Sequence, residues 1–436
     1  MKSIRKQLIT LAIPVVLEQI LSTLLQYVDT AMVGRLGQYA TASVSVTTTI
    51  TWLVNSVPYA IATATLTLVA QAIGAKELSQ AKRIGIQAIY LSFLFAAVME
   101  VLSISLSPWI PIWMGAEDIV CHQASVYFAI ISIPLVFRVV SSTMAACIRA
   151  TGDTKTPMII SVLTNVLNIT LNAVFIYGLK LGVTGAALST AVSYTLSFFA
   201  MLVVFNKNEI MHWSFREFSL DKEIQKKVLS LGFPVMMTNF TSCAGYVVFA
   251  GLVSSMGTTI FAAHSIAVTA EQLFYIQGYG LRTATSTMVG YAVGENDEDK
   301  LKRVSRSSIL MTMGMMVVSG AVLYLVAYPL MCVFTPVDEV AILGADMLRI
   351  VSFSEPFFGL MIVLEGIYYG LAKTKEAFVI ETASMWGIRI VFTFLVVKVW
   401  HLGLAEVWYC MIADNICKAV LFALMRKRVM SVQYRA

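Results

Sequence analysis

Long, uninterrupted apolar blocks recur from one end of this chain to the other, and they constrain its fold more than any other feature. The hydrocarbon core of a bilayer takes about 20 apolar residues per helical span. The blocks predict twelve such spans, at residues 8–33, 43–73, 84–107, 120–145, 157–178, 183–205, 230–256, 262–293, 306–331, 340–370, 377–399 and 403–425. Only 13% of the 436 residues are charged, against about 25% in a soluble domain, so half of the usual solubilising surface is missing. A transmembrane β-barrel shows short alternating strands instead. The expected class is an all-α membrane protein.

The net charge of +6 invites a nucleic-acid reading, but its placement does not support one. With both termini cytoplasmic, the inner segments hold Lys2, Arg5 and Lys6; Lys76, Lys82 and Arg83; Arg149 and Lys155; Lys207, Arg216, Lys222, Lys226 and Lys227. Lys300, Lys302, Arg303 and Arg306, then Lys373 and Lys375, and finally Arg426, Lys427, Arg428 and Arg435 bring the count to 23 of the 31 basic residues. The outer loops hold Arg35, Lys180 and Lys398. By the positive-inside rule, the chain is expected to be a multi-pass protein of the cell inner (plasma) membrane. The basic charge is a topology signal, and no nucleic-acid partner is expected.

The N-terminus has the Lys2, Arg5 and Lys6 of a signal peptide, but its apolar run is too long and lacks a small-x-small cleavage site. It is read as the first helix. Cysteines 121, 147, 243, 332, 410 and 417 show no CxxC spacing. They read as small core residues, not as disulfides or metal ligands. Pro58 and Pro134 interrupt spans and are expected to bend them.

Sliding the chain against itself reveals a duplication. Pro14 pairs with Pro234, Gly37 with Gly257, Ala42 with Ala262, Tyr59 with Tyr279 and Thr65 with Thr285. Val69 pairs with Val289, Gly74 with Gly294, Lys82 with Lys302, Arg83 with Arg303 and Thr154-Lys155 with Thr374-Lys375, always 220 residues apart. Two six-helix units follow, an N-terminal lobe at 1–215 and a C-terminal lobe at 216–436, joined by the charged stretch 206–228. Six is even, so both begin on the same side of the membrane and form a parallel repeat.

Several ordered segments resemble the MATE (multidrug and toxic compound extrusion) family, bacterial type. They are Pro14 with Val28-Asp29-Thr30-Ala31-Met32-Val33-Gly34-Arg35-Leu36-Gly37, and Val69-Ala70-Gln71-Ala72-Ile73-Gly74-Ala75 before a basic loop. Others are Arg149-Ala150-Thr151-Gly152-Asp153-Thr154-Lys155-Thr156-Pro157, Ala262-Ala263-His264-Ser265-Ile266-Ala267 and Trp386-Gly387-Ile388-Arg389. The resemblance covers nearly the whole chain. It implies two six-helix bundles around a central V-shaped cavity, and export of organic cations in exchange for H+ or Na+. Many members carry further carboxylates on helices five, seven and ten; this chain has Asn172, Ser242 and Phe358 at those places.

A charge at the bilayer centre costs about 2.5–3.5 kcal/mol on insertion scales, so each intramembrane one needs a reason. On the first span Glu18, Ser22, Gln26 and Asp29 follow steps of 4, 4 and 3 and share one face. On the fifth, Ser161, Asn165, Asn168 and Asn172 repeat the stripe with steps of 4, 3 and 4. Thr190 on the sixth joins them by the family resemblance. The two stripes predict an oxygen-rich pocket with one ionisable group. Burial favours a neutral carboxylate, so Asp29 can take a proton; with Asn168 and Asn172 beside it, it can instead hold Na+. The asparagines can equally serve to stitch helices together.

The expected site therefore divides into cation coupling by Asp29, Asn165, Asn168, Asn172 and Thr190, and substrate binding by Gln26, Asp29 and Glu271. Glu271 stands where the family often has an acid on the eighth span; a salt bridge to Arg282 or Arg389 is the structural alternative. Asp414 and Lys418, at i,i+4, read as a structural pair. No metal spacing links the four histidines, and His264 is expected to pack. No cofactor is expected beyond the coupling ion, nor any partner beyond small-molecule substrates and membrane lipids; the chain is expected to be a monomer. A flippase for lipid-linked saccharides would want a cavity rich in arginine, and an exporter of organic anions also fits the fold. An enzyme finds no support, since there is no HExxH and no nucleophile beside a base.

Overall fold

In a computed structural model, residues 2–212 and 220–433 are described, and no β-strand occurs among them. Arg216, Arg435 and the middle of the stretch 206–228 lie outside the described residues. The chain begins with α1 (Lys2–Gly34), α2 (Gln38–Gly74) and α3 (Leu78–Leu106). Helix α4 has two segments, Asp118–Ser132 and Leu135–Ala150, bent by 45°. Helix α5 (Lys155–Asn172) continues as a π-helical turn, Ala173–Gly178, and α6 is Gly182–Lys207. Then come α7 (Lys222–Ser254), α8 (Thr258–Gly294) and α9 (Glu298–Phe334). Helix α10 is again a bent pair, Asp338–Ser352 and Glu355–Gly370, at 57°. Helix α11 (Thr374–Val399) contains two π-helical turns, and α12 is Leu404–Gln433.

Among the described residues nine helices are long and apolar enough to cross a membrane, or eleven with each bent pair as one span. The twelfth, α8, has the length, at 37 residues, but carries Glu271 and Arg282 in its middle. Twelve spans agree with the apolar blocks of the sequence. Large side chains such as Val101 on α3 and Leu325 and Val333 on α9 stay exposed, as lipid-facing positions require, because lipid tails replace the protein interior there.

The 220-residue repeat is physical. Helices α2 and α8 start and stop at equivalent residues, and the breaks after Ser132 and Ser352 are equivalent too. The turns entering α2 and α8 are made by Gly37 at φ 108° and Gly257 at φ 123°, a backbone conformation that residues with a Cβ rarely adopt. Pro134 lies in the α4 break, as expected. Pro58 instead sits within α2, which runs unbroken through it. The α10 break has no proline at its hinge; Pro356 occupies the first turn after it, where its missing N–H costs nothing.

The chain clusters into two compact units, Ile20–Met236 and Met1–Gln19 with Met237–Ala436. These boundaries fall inside α1 and α7, whereas the duplication in sequence divides at 215/216. Close contacts account for the difference. A Cβ at Gly280 would come within 2.5 Å of Val16, so the start of α1 is seated tightly on α8. The start of α7 packs on α2 and α3, with Val228 among Ile61, Ala64, Ala88 and Leu91. In the C-terminal unit the core gathers Ala267, Leu323, Ala345, Val407 and Trp408. His264 is buried there, edge-on to Phe249 and Trp408, so it packs as expected.

Candidate cation-coupling site

Both polar stripes lie in the unit Ile20–Met236, and they meet. Helix α1 carries Ser22 and Asp29, and α5 carries Asn165, Asn168 and Asn172, three or four residues apart on one face. Asn165 Nδ2 donates to Ser22 Oγ at 3.0 Å. Seven residues on, Asn172 Nδ2 donates to Asp29 Oδ1. Asn168 Nδ2 donates to Thr190 Oγ1 of α6 at 3.2 Å, while its Oδ1 accepts from Asn172 at 3.4 Å. Tyr177 ties the end of α1 to the π-helical turn that follows α5, its hydroxyl donating to the Met32 carbonyl at 2.9 Å.

Asn172 is the hub. It is fully buried, at the junction where α5 changes from α- to π-helix, and such junctions place a side chain off the regular helical register. Its Oδ1 accepts from Ser189 Oγ, and Ser189 also bonds the Ala186 carbonyl at 2.8 Å. This fixes the amide with nitrogen toward Asp29. The network thus aims one amide N–H, that of Asn172, at the Asp29 carboxylate. Holding Na+ between Asp29 and Asn172 would require the amide to turn its oxygen inward, giving up the Ser189 bond.

The structure thus brings Asp29, Asn165, Asn168, Asn172 and Thr190 together. It leaves Gln26 exposed, with its backbone carbonyl accepting from Thr30 and its side chain outside this network. Ser189 is the member that sequence reasoning missed. The signal was there, since Ser189 adjoins Thr190, but hydroxyls are frequent on α6 and nothing in spacing singles one out.

The buried charges of the other unit are largely paired. Arg282 Nη1 bonds Glu365 Oε2 at 2.7 Å, and Tyr369 donates to the same carboxylate at 2.5 Å. Arg389 meets Asp414 at 2.9 Å, and Lys418 joins Asp414 at 3.2 Å and Glu381 at 3.0 Å. The i,i+4 pair read from sequence is therefore part of a larger network. Ser384 and Asn415 complete it with hydrogen bonds to Asp414 and from Arg389. Glu271, 7% exposed, forms no ion pair with Arg282 or Arg389, because each arginine is already engaged. The salt-bridge alternative for Glu271 is not what the fold adopts.

With that geometry in place, likeness to known proteins becomes informative. The sequence matches the MatE family twice, over residues 14–174 and 234–395, one match in each repeat. It is 28% identical over 429 residues to the probable multidrug resistance protein NorM of Thermotoga maritima, covering 96% of this chain and 91% of that one. The fold is similar to a MOP superfamily transporter from Pyrococcus furiosus at TM-score 0.93 and 22% identity, covering 99% of this chain and 97% of the other. It is also similar to the Vibrio cholerae MATE transporter VcmN in the bent form, at TM-score 0.91 and 20% identity, over 99% and 98% of the two chains. The double match takes in well over half of the sequence, and the chain belongs to the MatE family of membrane transporters.

Proposed function

We propose that this transporter is a secondary antiporter that exports organic cations, drugs among them, by alternating access in exchange for H+ or Na+. The observation that carries this reading is Asp29, the carboxylate of a network whose other members are amides and hydroxyls. One negative group cannot neutralise two cations at once, so substrate and coupling ion compete for it. The naming of the Thermotoga relative supports a drug substrate. Anionic substrates fit less well, since Arg282 and Arg389 are already neutralised by Glu365 and Asp414. Dye efflux from vesicles, under a pH gradient alone and then a sodium gradient alone, tests the proposal. Accumulation or efflux driven by one of them is expected; no response to either overturns it.

The same proposal places both termini in the cytoplasm of a cell whose inner membrane the chain spans, on the 23-to-3 bias in basic residues. Single cysteines at positions 180 and 398, in a cysteine-free background, should react with an impermeant thiol reagent added outside intact cells. Cysteines at 82 and 302 should stay unlabelled until the membrane is opened. Reversed labelling would overturn the orientation and, with it, the direction of export.

A further inference from the structure

The break in α4 is built differently from the break in α10. The first segment of α4 ends at Ser132 and the second starts at Leu135. The regular partner of the Val136 N–H would be the Ser132 carbonyl, four residues back. Across the break it donates instead to Glu100 Oε2 of α3, at 3.0 Å. In the C-terminal half, 220 residues on, Val136 corresponds to Pro356 and Glu100 to Gly320. Proline has no N–H to satisfy. A Cβ at Gly320 would lie 2.4 Å from the Ser352 carbonyl oxygen, so no acid fits there. Donor and acceptor are absent together. The α10 break is fixed by its own backbone, whereas the α4 break is held by a side chain from the neighbouring helix.

A carboxylate within a membrane helix is costly and needs a reason. Glu100 is half-buried, about 9 Å from the end of α3 at 1.5 Å per residue. Its polar partner among the described residues is the Val136 N–H. The repeat shows that a bend can form here without an acid, so the fold alone does not explain Glu100.

What this bond holds lies beside the coupling site. The first segment of α4 is fastened to α2 through Gln123, which accepts from Ser43 at 3.0 Å. The second is fastened to α3 through Ser92 and Thr143, whose hydroxyls are 2.6 Å apart. Tyr127 of the first segment packs on Val33, Ala40, Ile176, Val183 and Ala186. The Ala186 carbonyl accepts from both Ser189 and Thr190, and Tyr127 lies within the field of Asp29. The angle at the break, 45°, therefore sets where Tyr127 stands beside the Asp29 network.

We propose that Glu100 is a positioning residue of the Asp29 site: its hydrogen bond to Val136 latches the bend in α4 and so holds Tyr127 against the coupling network. Its part in transport rests on the antiport reading, but the latch itself can be read without transport. When the bond is lost, the Val136 N–H turns back to the Ser132 carbonyl. The first segment then swings toward the line of the second and carries Tyr127 with it.

Spin labels at the exposed positions 79 on α3 and 119 on the first segment of α4 report the bend. They are placed in a cysteine-free background of the full chain in lipid, with neither gradient nor substrate. Pulsed electron-resonance measurements should give one narrow distance for the wild type and for Glu100→Gln, whose amide oxygen still accepts. Glu100→Leu should shift and broaden it. In efflux assays Glu100→Leu should raise KM for the dye on the order of five- to tenfold, as the loss of a helix cap does for stability, with kcat little changed. Glu100→Gln should stay near wild type. Tyr127→Ala should raise KM similarly, and the two losses together should fall well short of additive.

An unmoved distance in Glu100→Leu overturns the latch, and additive losses with Tyr127→Ala overturn its part in the site. Glu100→Gln as impaired as Glu100→Leu would make the charge the active property, and it overturns the proposal too. If Glu100→Leu fails to fold, Val136→Pro decides the matter, because it removes the N–H as Pro356 does in α10. Glu100→Leu added to Val136→Pro should fold and keep the wild-type distance; continued failure to fold overturns the proposal. A protein that answers to neither gradient sinks the antiport reading and leaves these distances as they are, so the two readings fail separately.

Discussion

Asp29→Asn is expected to fold and reach the membrane in normal amount, and to lose gradient-driven efflux and drug resistance. The substitution keeps the shape of the side chain. Asn172 Nδ2, which donates to Asp29 Oδ1, still finds an oxygen acceptor, so stability should change by no more than about 1 kcal/mol. The charge is what disappears. A membrane charge costs about 2.5–3.5 kcal/mol to insert, and the bound cation is what offsets it. Losing that attraction lowers exchange about a hundredfold, at 1.4 kcal/mol per factor of ten. Asn172→Ala keeps the charge and removes one donor, worth about 1 kcal/mol, so it should retain partial activity. Ser189 keeps its bond to the Ala186 carbonyl in that variant, which limits the damage. Wild-type efflux by Asp29→Asn under both gradients would end the N-terminal coupling model and move the ion to the acids of the C-terminal unit.

Much of this site was legible because helical periodicity is a local property. Steps of 4, 4 and 3 on α1 and 4, 3 and 4 on α5 put the right residues on single faces, and amide and hydroxyl stripes inside apolar spans have few places to go except toward each other. Asn165 on Ser22 and Asn172 on Asp29 are the result. Periodicity is silent on what lies beyond the stripe: it put Gln26 on the same face as Asp29, yet Gln26 is exposed. Ser189 was hidden because its role depends on how α6 is rotated against α5, which no spacing encodes. The α10 break was hidden for a different reason. Its counterpart in α4 announces itself with Pro134, while the hinge in α10 has none, and only the repeat could have transferred the bend.

The C-terminal charges show the same limit. The i,i+4 spacing of Asp414 and Lys418 exposes one pair, but Arg389 and Glu381 arrive from α11, through an inter-helix register that the sequence does not display. That register makes Asp414 the centre of a four-charge network, and the second large effect is expected there. Its carboxylate is 0% exposed and meets both Arg389 and Lys418. Asp414→Asn leaves two buried cations with only Glu381 between them. Removing one partner from a buried ion pair costs about 3–5 kcal/mol, because the other charge is stranded. Thermal unfolding of the purified protein should therefore shift down sharply, and expression should fall with it. Adding Lys418→Met to Asp414→Asn restores neutrality, with Arg389 set against Glu381. Charge balance should then recover part of the stability, so the two substitutions together cost less than the sum of each alone. Additive losses would mean that the network is held by packing and not by its charges. A single Asp414→Asn variant as stable as wild type would mean that the stranded cations find water, and that this end of the bundle is wetter than its burial indicates.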